Sequence, residues 1–198
     1  MQRVVILSLV RLGRAVCAGG VGLAIGVAAA TAPASTASCG PANGRTLASS
    51  SQARVYAGRK GVVYGCAGRR QFRLGRRQPP CYPCVGRVVV AGKIAAYVLG
   101  YPGYDSNFCE VVVRRLADGK RLATYNATRM GPFSSVPSLV ARPDGHVAWI
   151  AVGGGIPEVH RDRTILDSGG TIQPHSLRLH GTLLTWRHGS KTRHARMR

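Results

Sequence analysis

The chain has 198 residues, and 28 Lys and Arg residues against seven Asp and Glu residues give it a formal charge of +21 at pH 7. Such a charge predicts attraction to polyanions, but it identifies neither a fold nor a defined partner. Because Arg residues are spread over nearly every predicted strand and turn, a solvated basic surface explains them as well as a ligand does. We therefore expect no specific nucleic-acid partner.

The first 37 residues have the features of a secretory signal peptide. Three arginines within the first 14 residues precede an uncharged stretch at 15–32, and Ser35-x-Ala37 fits the small-x-small cleavage rule. We expect a signal helix at 1–37 that is removed on export, and one domain over 38–198. Two alternatives stay open: an uncleaved segment that anchors the chain in a membrane, and lipid attachment at Cys39.

Export would place the remaining residues, which keep five cysteines, in an oxidising compartment that favours disulfides. A bridge between Cys39 and Cys66 would pin the N-terminal arm of the domain. Cys109 is expected to pair with Cys84 or Cys81, which leaves one thiol free or available to another molecule.

Four segments repeat one pattern, in which an apolar strand, a tight turn and a second strand end on an aromatic residue. The segments are 54–64, 88–97, 139–149 and 177–186, and they end on Tyr64, Tyr97, Trp149 and Trp186. Recurrence at roughly 40 residues is typical of β architectures built from repeated blades. Apolar neighbours on the same strands indicate that these aromatics are core residues.

The repeats predict an all-β chain, because no apolar period of 3.6 residues reaches helix length outside the signal. About four antiparallel sheets of four strands fit the domain, as in a small β-propeller. The last unit is a strand short, so we expect Arg45–Ala48, with Thr46 and Leu47, to complete the last sheet. A β-sandwich or an open stack of meanders is the competing architecture.

The segments Val140–Ile150 and Tyr64-Gly-Cys66 resemble those of secreted actinobacterial proteins with propeller-like repeats. The strand-turn-strand pattern is also similar to WD40 and quinone-dehydrogenase-type blades, although the Gly-His and Trp-Asp signatures of true WD40 blades are missing. The resemblance implies a fold and an export route. It implies no activity and no catalytic residues.

No cofactor, metal or catalytic set is predicted. Cys81-Tyr-Pro-Cys84 has the spacing of a thiol-disulfide oxidoreductase motif, but no predicted helix follows to lower the pKa of its first thiol. The six histidines lie in different turns or strands, which does not suit a zinc site. The sequence also lacks a Gly-x-Ser-x-Gly elbow.

These observations favour an exported, non-enzymatic binding or scaffolding protein whose basic surface contacts an anionic cell-envelope polymer or a protein partner. We expect recognition by the loop Gly100–Asn107, with its tyrosines Tyr101 and Tyr104. The alternative is an envelope enzyme, either a thiol-disulfide oxidoreductase using Cys81 and Cys84 or a hydrolase whose site one sequence does not reveal.

Overall fold

Alternating apolar and polar residues, interrupted by short turns, give an all-β chain. The structure, a computed structural model, describes residues 39–41, 43–79, 81–103, 107–128 and 134–198. Over these residues the chain forms fifteen strands and one short 3-10 turn, Arg59–Gly61. None of the helical structure in this part of the chain is long and apolar enough to cross a membrane. The predicted signal segment 1–37 lies outside the described residues.

The strands follow one another as four antiparallel meanders, which we name I to IV. Meander I consists of β1 (Arg45–Ser49), β2 (Arg54–Ala57), β3 (Val62–Ala67) and β4 (Arg70–Arg76). Meander II consists of β5 (Cys84–Ala91), β6 (Ile94–Pro102), β7 (Asn107–Arg115) and β8 (Arg121–Asn126). Meander III consists of β9 (Ser135–Ala141), β10 (Val147–Gly153), β11 (Ile156–Arg161) and β12 (Thr164–Ser168). Meander IV consists of β13 (Arg178–His180), β14 (Leu183–His188) and β15 (Lys191–Arg196).

Meanders I and II belong to one eight-stranded sheet, while III and IV are separate sheets of four and three strands. The junction inside the large sheet is narrow, because β4 and β5 run parallel and pair only at Arg76 and Cys84. None of the three sheets closes on itself in the described part of the chain. The chain is therefore all-β, as predicted, with four successive meanders.

Aspartates set two of the tight turns between neighbouring strands. The Asp118 carboxylate accepts a hydrogen bond from the backbone N–H of Lys120 at 3.0 Å. In the same way, Asp144 accepts one from the N–H of His146 at 3.2 Å. This local bond stabilises a turn and favours Asp before Gly in hairpins. Asp118 and Asp144 are therefore turn residues.

Three apolar layers lie between consecutive meanders. The first layer includes Val55 and Leu74 of I and Tyr97 of II. The second includes Val111 of II and Trp149 of III, and the third joins III to IV. That third layer includes Ile150, Val159, Ile172, Leu184, Trp186 and Met197. Because each meander packs against its neighbour in sequence, burial of apolar surface stabilises a stack rather than one central core.

The two inner meanders are buried on both faces. On β6, Ala95, Tyr97 and Leu99 face I, while Ala96 and Val98 face III. Successive strand residues point to opposite faces, so a strand covered on both sides must be continuously apolar. This explains why every residue from 94 to 99 is buried.

The outer face of meander I is covered by residues 39–41 and 43–44, which we call the arm. Gly40 and Gly44 lie against the ring of Tyr56, which is 1% exposed. A disulfide between Cys39 and Cys66 fixes the arm to β3. The Arg54 guanidinium also donates hydrogen bonds to backbone carbonyls of the arm, including that of Gly44.

The prediction that Arg45–Ala48 completes the last sheet is wrong. Thr46 pairs with Tyr56, so β1 is the first strand of meander I. Leu47 packs against the layer between I and II and not against the C-terminal strands. The physical reason is local: β1 and β2 are joined by a four-residue turn and form a hairpin with little loss of chain entropy.

Candidate functional site

The candidate site is a cleft between meanders I and II, which we call the Arg cleft. Its volume is about 570 Å³, within the range of sites that bind small molecules or one unit of a polymer. It is lined by Arg73, Leu74, Gly75, Arg76, Cys81, Tyr82, Pro83, Leu99, Tyr101 and Arg121. Three of these residues are arginines and none is acidic.

Elements distant in sequence supply the charged walls of the cleft. Arg73 and Arg76 lie on β4, and Arg121 begins β8. The packing of I on II brings them to one cleft, beside the single position at which β4 pairs with β5. Since like charges are gathered and the described lining residues include no carboxylate, the electrostatic potential there favours an anion.

Two buried guanidinium nitrogens lack a hydrogen-bond partner at this side of meander II. The Nε atoms of Arg76 and Arg114 are buried and bond to no atom of the described structure. Burial raises the pKa of Tyr97. The positive charges of Arg114 and Arg121 lie close enough to oppose this rise, and Arg114 also hydrogen-bonds Tyr97. An unsatisfied buried donor costs about 1–3 kcal/mol. Because both Nε atoms are buried, an anion in the cleft would contact instead the guanidinium groups of the exposed residues Arg73 and Arg121.

Two aromatic rings, Tyr82 and Tyr101, also line the cleft. Tyr82 is 71% exposed and meets Tyr101 edge-to-face, with ring centroids 5.6 Å apart. Tyr101 in turn stacks on Phe108 at 4.3 Å with the ring planes 4° apart. Rings fixed by stacking offer a rigid apolar surface at low cost in side-chain entropy.

The Tyr101 hydroxyl is fixed as a donor. It donates a hydrogen bond to Glu110 Oε2 at 2.8 Å. Burial first, and then this bond to the Glu110 carboxylate, raises the pKa of Tyr101 to about 12. The phenol therefore stays neutral at any physiological pH, and Glu110 is engaged with Tyr101.

The cysteines pair differently from the sequence expectation for Cys109. The predicted Cys39–Cys66 bridge is present, but Cys81 and Cys84 bond to each other. The pairing of Cys109 with Cys84 or Cys81 is therefore wrong, because Cys109 is a buried thiol on β7. Burial raises the pKa of the Cys109 thiol, which makes it an inert core residue at neutral pH.

A second basic concavity lies at the other end of meanders I and II, beside the arm. It measures about 970 Å³, and its basic residues are Arg54, Arg69, Arg70 and Lys93. Arg54 is already bonded to arm carbonyls, and no aromatic residue lines this groove. It therefore offers charge without the rigid apolar wall of the Arg cleft.

Of the two tyrosines predicted to take part in recognition, the structure describes only Tyr101, which lies at the candidate site. Tyr101 belongs to strand β6 rather than to a loop, and it lines the Arg cleft. Tyr104 lies outside the described residues. Sequence reasoning did not single out Arg73, Arg76 or Arg121, since the chain has 24 arginines of similar local context.

Three of the six histidines lie in separate carboxylate pairs. His146 Nδ1 is 2.8 Å from Asp162, His188 Nδ1 is 2.9 Å from Asp167, and His160 Nε2 is 3.1 Å from Glu158. Among the described residues, no three His, Cys, Asp or Glu side chains are placed to hold a metal ion.

Comparison of the chain with protein-family models and with curated proteins found no match.

Proposed function

We propose that this is an exported, non-enzymatic binding protein that holds an anionic polymer of the cell envelope in the Arg cleft. The observation that carries the proposal is the cleft itself, where Arg73, Arg76 and Arg121 converge and no carboxylate belongs to the described lining. Guanidinium groups bind phosphate and carboxylate in bidentate geometry, so either group is a suitable anion.

We also propose that the four meanders are arranged radially, as blades of an open propeller-like domain. Support comes from the first strands of successive meanders, since β5 lies beside β1 and also beside β9. We propose in addition that the protein is exported from the cytoplasm. Two disulfides are compatible with an extracytoplasmic location, and the resemblance to secreted actinobacterial repeat proteins stays a prediction.

The proposal is tested by titrating the protein with two linear polyanions, inorganic polyphosphate and oligogalacturonate, at about 0.1 M salt. The variants Arg76→Gln and Arg121→Gln each remove one cleft charge. We expect each to weaken binding of at least one polyanion about tenfold, the effect of losing a charged hydrogen bond. Isothermal titration calorimetry measures the change.

The matched controls are Arg163→Gln and Arg193→Gln, which remove the same charge from exposed positions on meanders III and IV. They should change the affinity less than twofold if binding is local to the cleft. Equal weakening by all four variants would mean that the whole basic surface attracts the polymer without a site. Thermal melting shows that each variant is folded.

The alternative function, thiol-disulfide exchange, has one favourable observation: the Cys81–Cys84 disulfide lines the same cleft. An insulin-reduction assay separates the two functions. Catalysed reduction that is lost in Cys81→Ser would support the oxidoreductase, whereas a disulfide that does not turn over would leave the binding proposal in place.

A further inference from the structure

We propose that a second pocket, next to the Arg cleft, binds a sugar ring of the polymer, so that the natural ligand is an anionic glycan. The inference rests on the proposed function, because it extends the same binding surface. The pocket lies between meanders II and III and has a volume of about 460 Å³. We call it the Glu-His pocket, after Glu158 and His160 on β11.

The lining of the Glu-His pocket differs from that of the Arg cleft. Phe108 and Ile165 supply apolar surface, and Asn126, Thr128, Glu158 and His160 supply polar groups. Among the residues that the structure describes, the lining includes a carboxylate and no Lys or Arg. A bare polyanion is repelled by this carboxylate, whereas sugar hydroxyl groups can donate to it.

The polar residues of the pocket are held in place from behind. His160 stacks on the buried Trp149, with ring centroids 5.0 Å apart and planes within 4°. Trp149 donates its indole N–H to the carbonyl of Ala127 at 3.4 Å. His160 Nε2 lies 3.1 Å from Glu158 Oε2 and donates to it, because an ionised carboxylate can only accept. A site built on strands and stacked rings needs little ordering on binding.

One aromatic pair joins the two sites. Tyr101 lines the Arg cleft, Phe108 lines the Glu-His pocket, and their rings stack at 4.3 Å. A chain that places an anionic group among the arginines can therefore continue across this pair. On the far side it meets an apolar face with hydrogen-bonding groups beside it, the usual combination in sites that recognise a neutral polar ring.

The two sites together specify a ligand class. Arginines at one end require negative charge, and the carboxylate at the other end requires hydroxyl or amine donors. Inorganic polyphosphate has only the first property, and a neutral oligosaccharide has only the second. An anionic glycan, with charged groups on a hydroxylated backbone, has both.

The experiment compares oligogalacturonate and inorganic polyphosphate on four proteins: wild type, Asn126→Ala, Glu158→Gln and the amide control Gln173→Ala. Asn126 and Gln173 are both exposed, and only Asn126 lines the pocket. We expect Asn126→Ala to weaken oligogalacturonate binding at least threefold and to leave polyphosphate binding unchanged. Glu158→Gln removes both an acceptor for sugar hydroxyl groups and a repelling charge, so we expect it to strengthen polyphosphate binding and to leave oligogalacturonate binding weaker relative to polyphosphate than in the wild type. The control should change neither.

Oligogalacturonate binding unchanged in both pocket variants, or equal weakening of both probes, would overturn the glycan assignment. The Arg76→Gln and Arg121→Gln variants identify which proposal has failed. If they weaken polyanion binding while the pocket variants do not, the Arg cleft stands and the sugar pocket falls. If they too have no effect, the binding function itself is wrong.

Discussion

Tyr56 owes its burial to the arm rather than to another sheet. Gly40 has a φ of +80°, and a Cβ at this position would overlap the Tyr56 ring. Gly181 has a φ of +59° with nothing within 4 Å of a Cβ. Both glycines therefore have a left-handed backbone, but only a side chain at position 40 would collide with a neighbour, the Tyr56 ring.

We expect Gly40→Ala to destabilise the protein more than Gly181→Ala. Both substitutions add the cost of a left-handed backbone, about 1–2 kcal/mol. Gly40→Ala adds overpacking against Tyr56, about 1–3 kcal/mol more. Urea unfolding of both variants measures the difference in the free energy of unfolding. If the two variants lose the same stability, the arm moves away from the added methyl group without destabilising the protein.

Asp167 connects meanders III and IV through one carboxylate oxygen. Oδ2 accepts a hydrogen bond from Trp186 Nε1 at 2.7 Å and lies 2.9 Å from His188 Nδ1. Burial alone would raise the pKa of Asp167, but the bonds from Trp186 and His188 outweigh it and lower the pKa. Trp186 is 4% exposed, so its indole N–H depends on this acceptor.

The lowered pKa predicts a loss of stability in acid. A carboxyl group whose pKa is lower in the folded state contributes stability above its unfolded pKa of about 3.9 and loses it as the pH falls through the folded pKa. We expect Asp167→Asn to be less stable than wild type by about 1–3 kcal/mol at pH 7, and the gap to narrow below about pH 4. Thermal melting from neutral to acidic pH tests this. A gap independent of pH would exclude Asp167 as the titrating group.

At the scale of the element, second strands determine how the meanders stack. Tyr97 on β6, Trp149 on β10 and Trp186 on β14 each face the preceding meander. The sequence spacing identified these three correctly as core residues. For meander I it selected Tyr64 on β3, whereas the equivalent second-strand residue is Tyr56 on β2.

The error at meander I has a physical cause. Tyr56 and Tyr64 are directly opposite on paired strands, and their rings stack at 5.6 Å. Both have apolar neighbours, so the local pattern does not distinguish them. Tyr56 is buried because the arm, a distant segment, packs on its ring. The alternation of apolar and polar residues along a strand does not predict such a contact.

The candidate site was harder to predict from the sequence than the core, because it also depends on contacts between distant segments. Tyr101 was identified because two tyrosines in a Gly- and Pro-rich segment differ from their surroundings. Arg76 and Arg121 were not, because their convergence depends on how I packs on II. Likewise, cysteine spacing predicted the bridge that pins the arm, but it could not show that Cys109 lies inside β7.

The arm is expected to need its disulfide. Cys39 and Cys66 are 27 residues apart, and a bridge of this span stabilises a chain by about 3.5 kcal/mol in the entropic treatment. We expect Cys39→Ala to lower the free energy of unfolding by this order and to increase exposure of Tyr56. Urea unfolding and tyrosine fluorescence measure the two effects. Cys109→Ala, which breaks no bridge, is the control, and a larger loss in it would contradict the assignment.

At the scale of the whole molecule, the two ends of the stack are protected in different ways. The arm covers the outer face of I. The face of IV turned away from III carries Arg178, His180, Leu183, Thr185, Arg187, Thr192, His194 and Arg196. Polar terminal faces keep stacked-repeat proteins soluble, and a face with three arginines and no acid repels a second basic molecule.

A stack in which each meander contacts its sequence neighbours should lose stability locally. Trp186→Phe removes the bond to Asp167 and part of the layer between III and IV, while the layers between I and II and between II and III keep all their residues. In such quasi-linear assemblies the effect of a substitution falls off with distance along the stack. We expect faster amide hydrogen exchange over β13–β15, a smaller change over β9–β12 and none over β2–β4. Hydrogen-exchange mass spectrometry measures all three regions at once.

Uniform acceleration of exchange across the four meanders would contradict this prediction and show that they unfold as one cooperative unit. The amides of β6 and β10, two strands buried on both faces, would then exchange only through global unfolding.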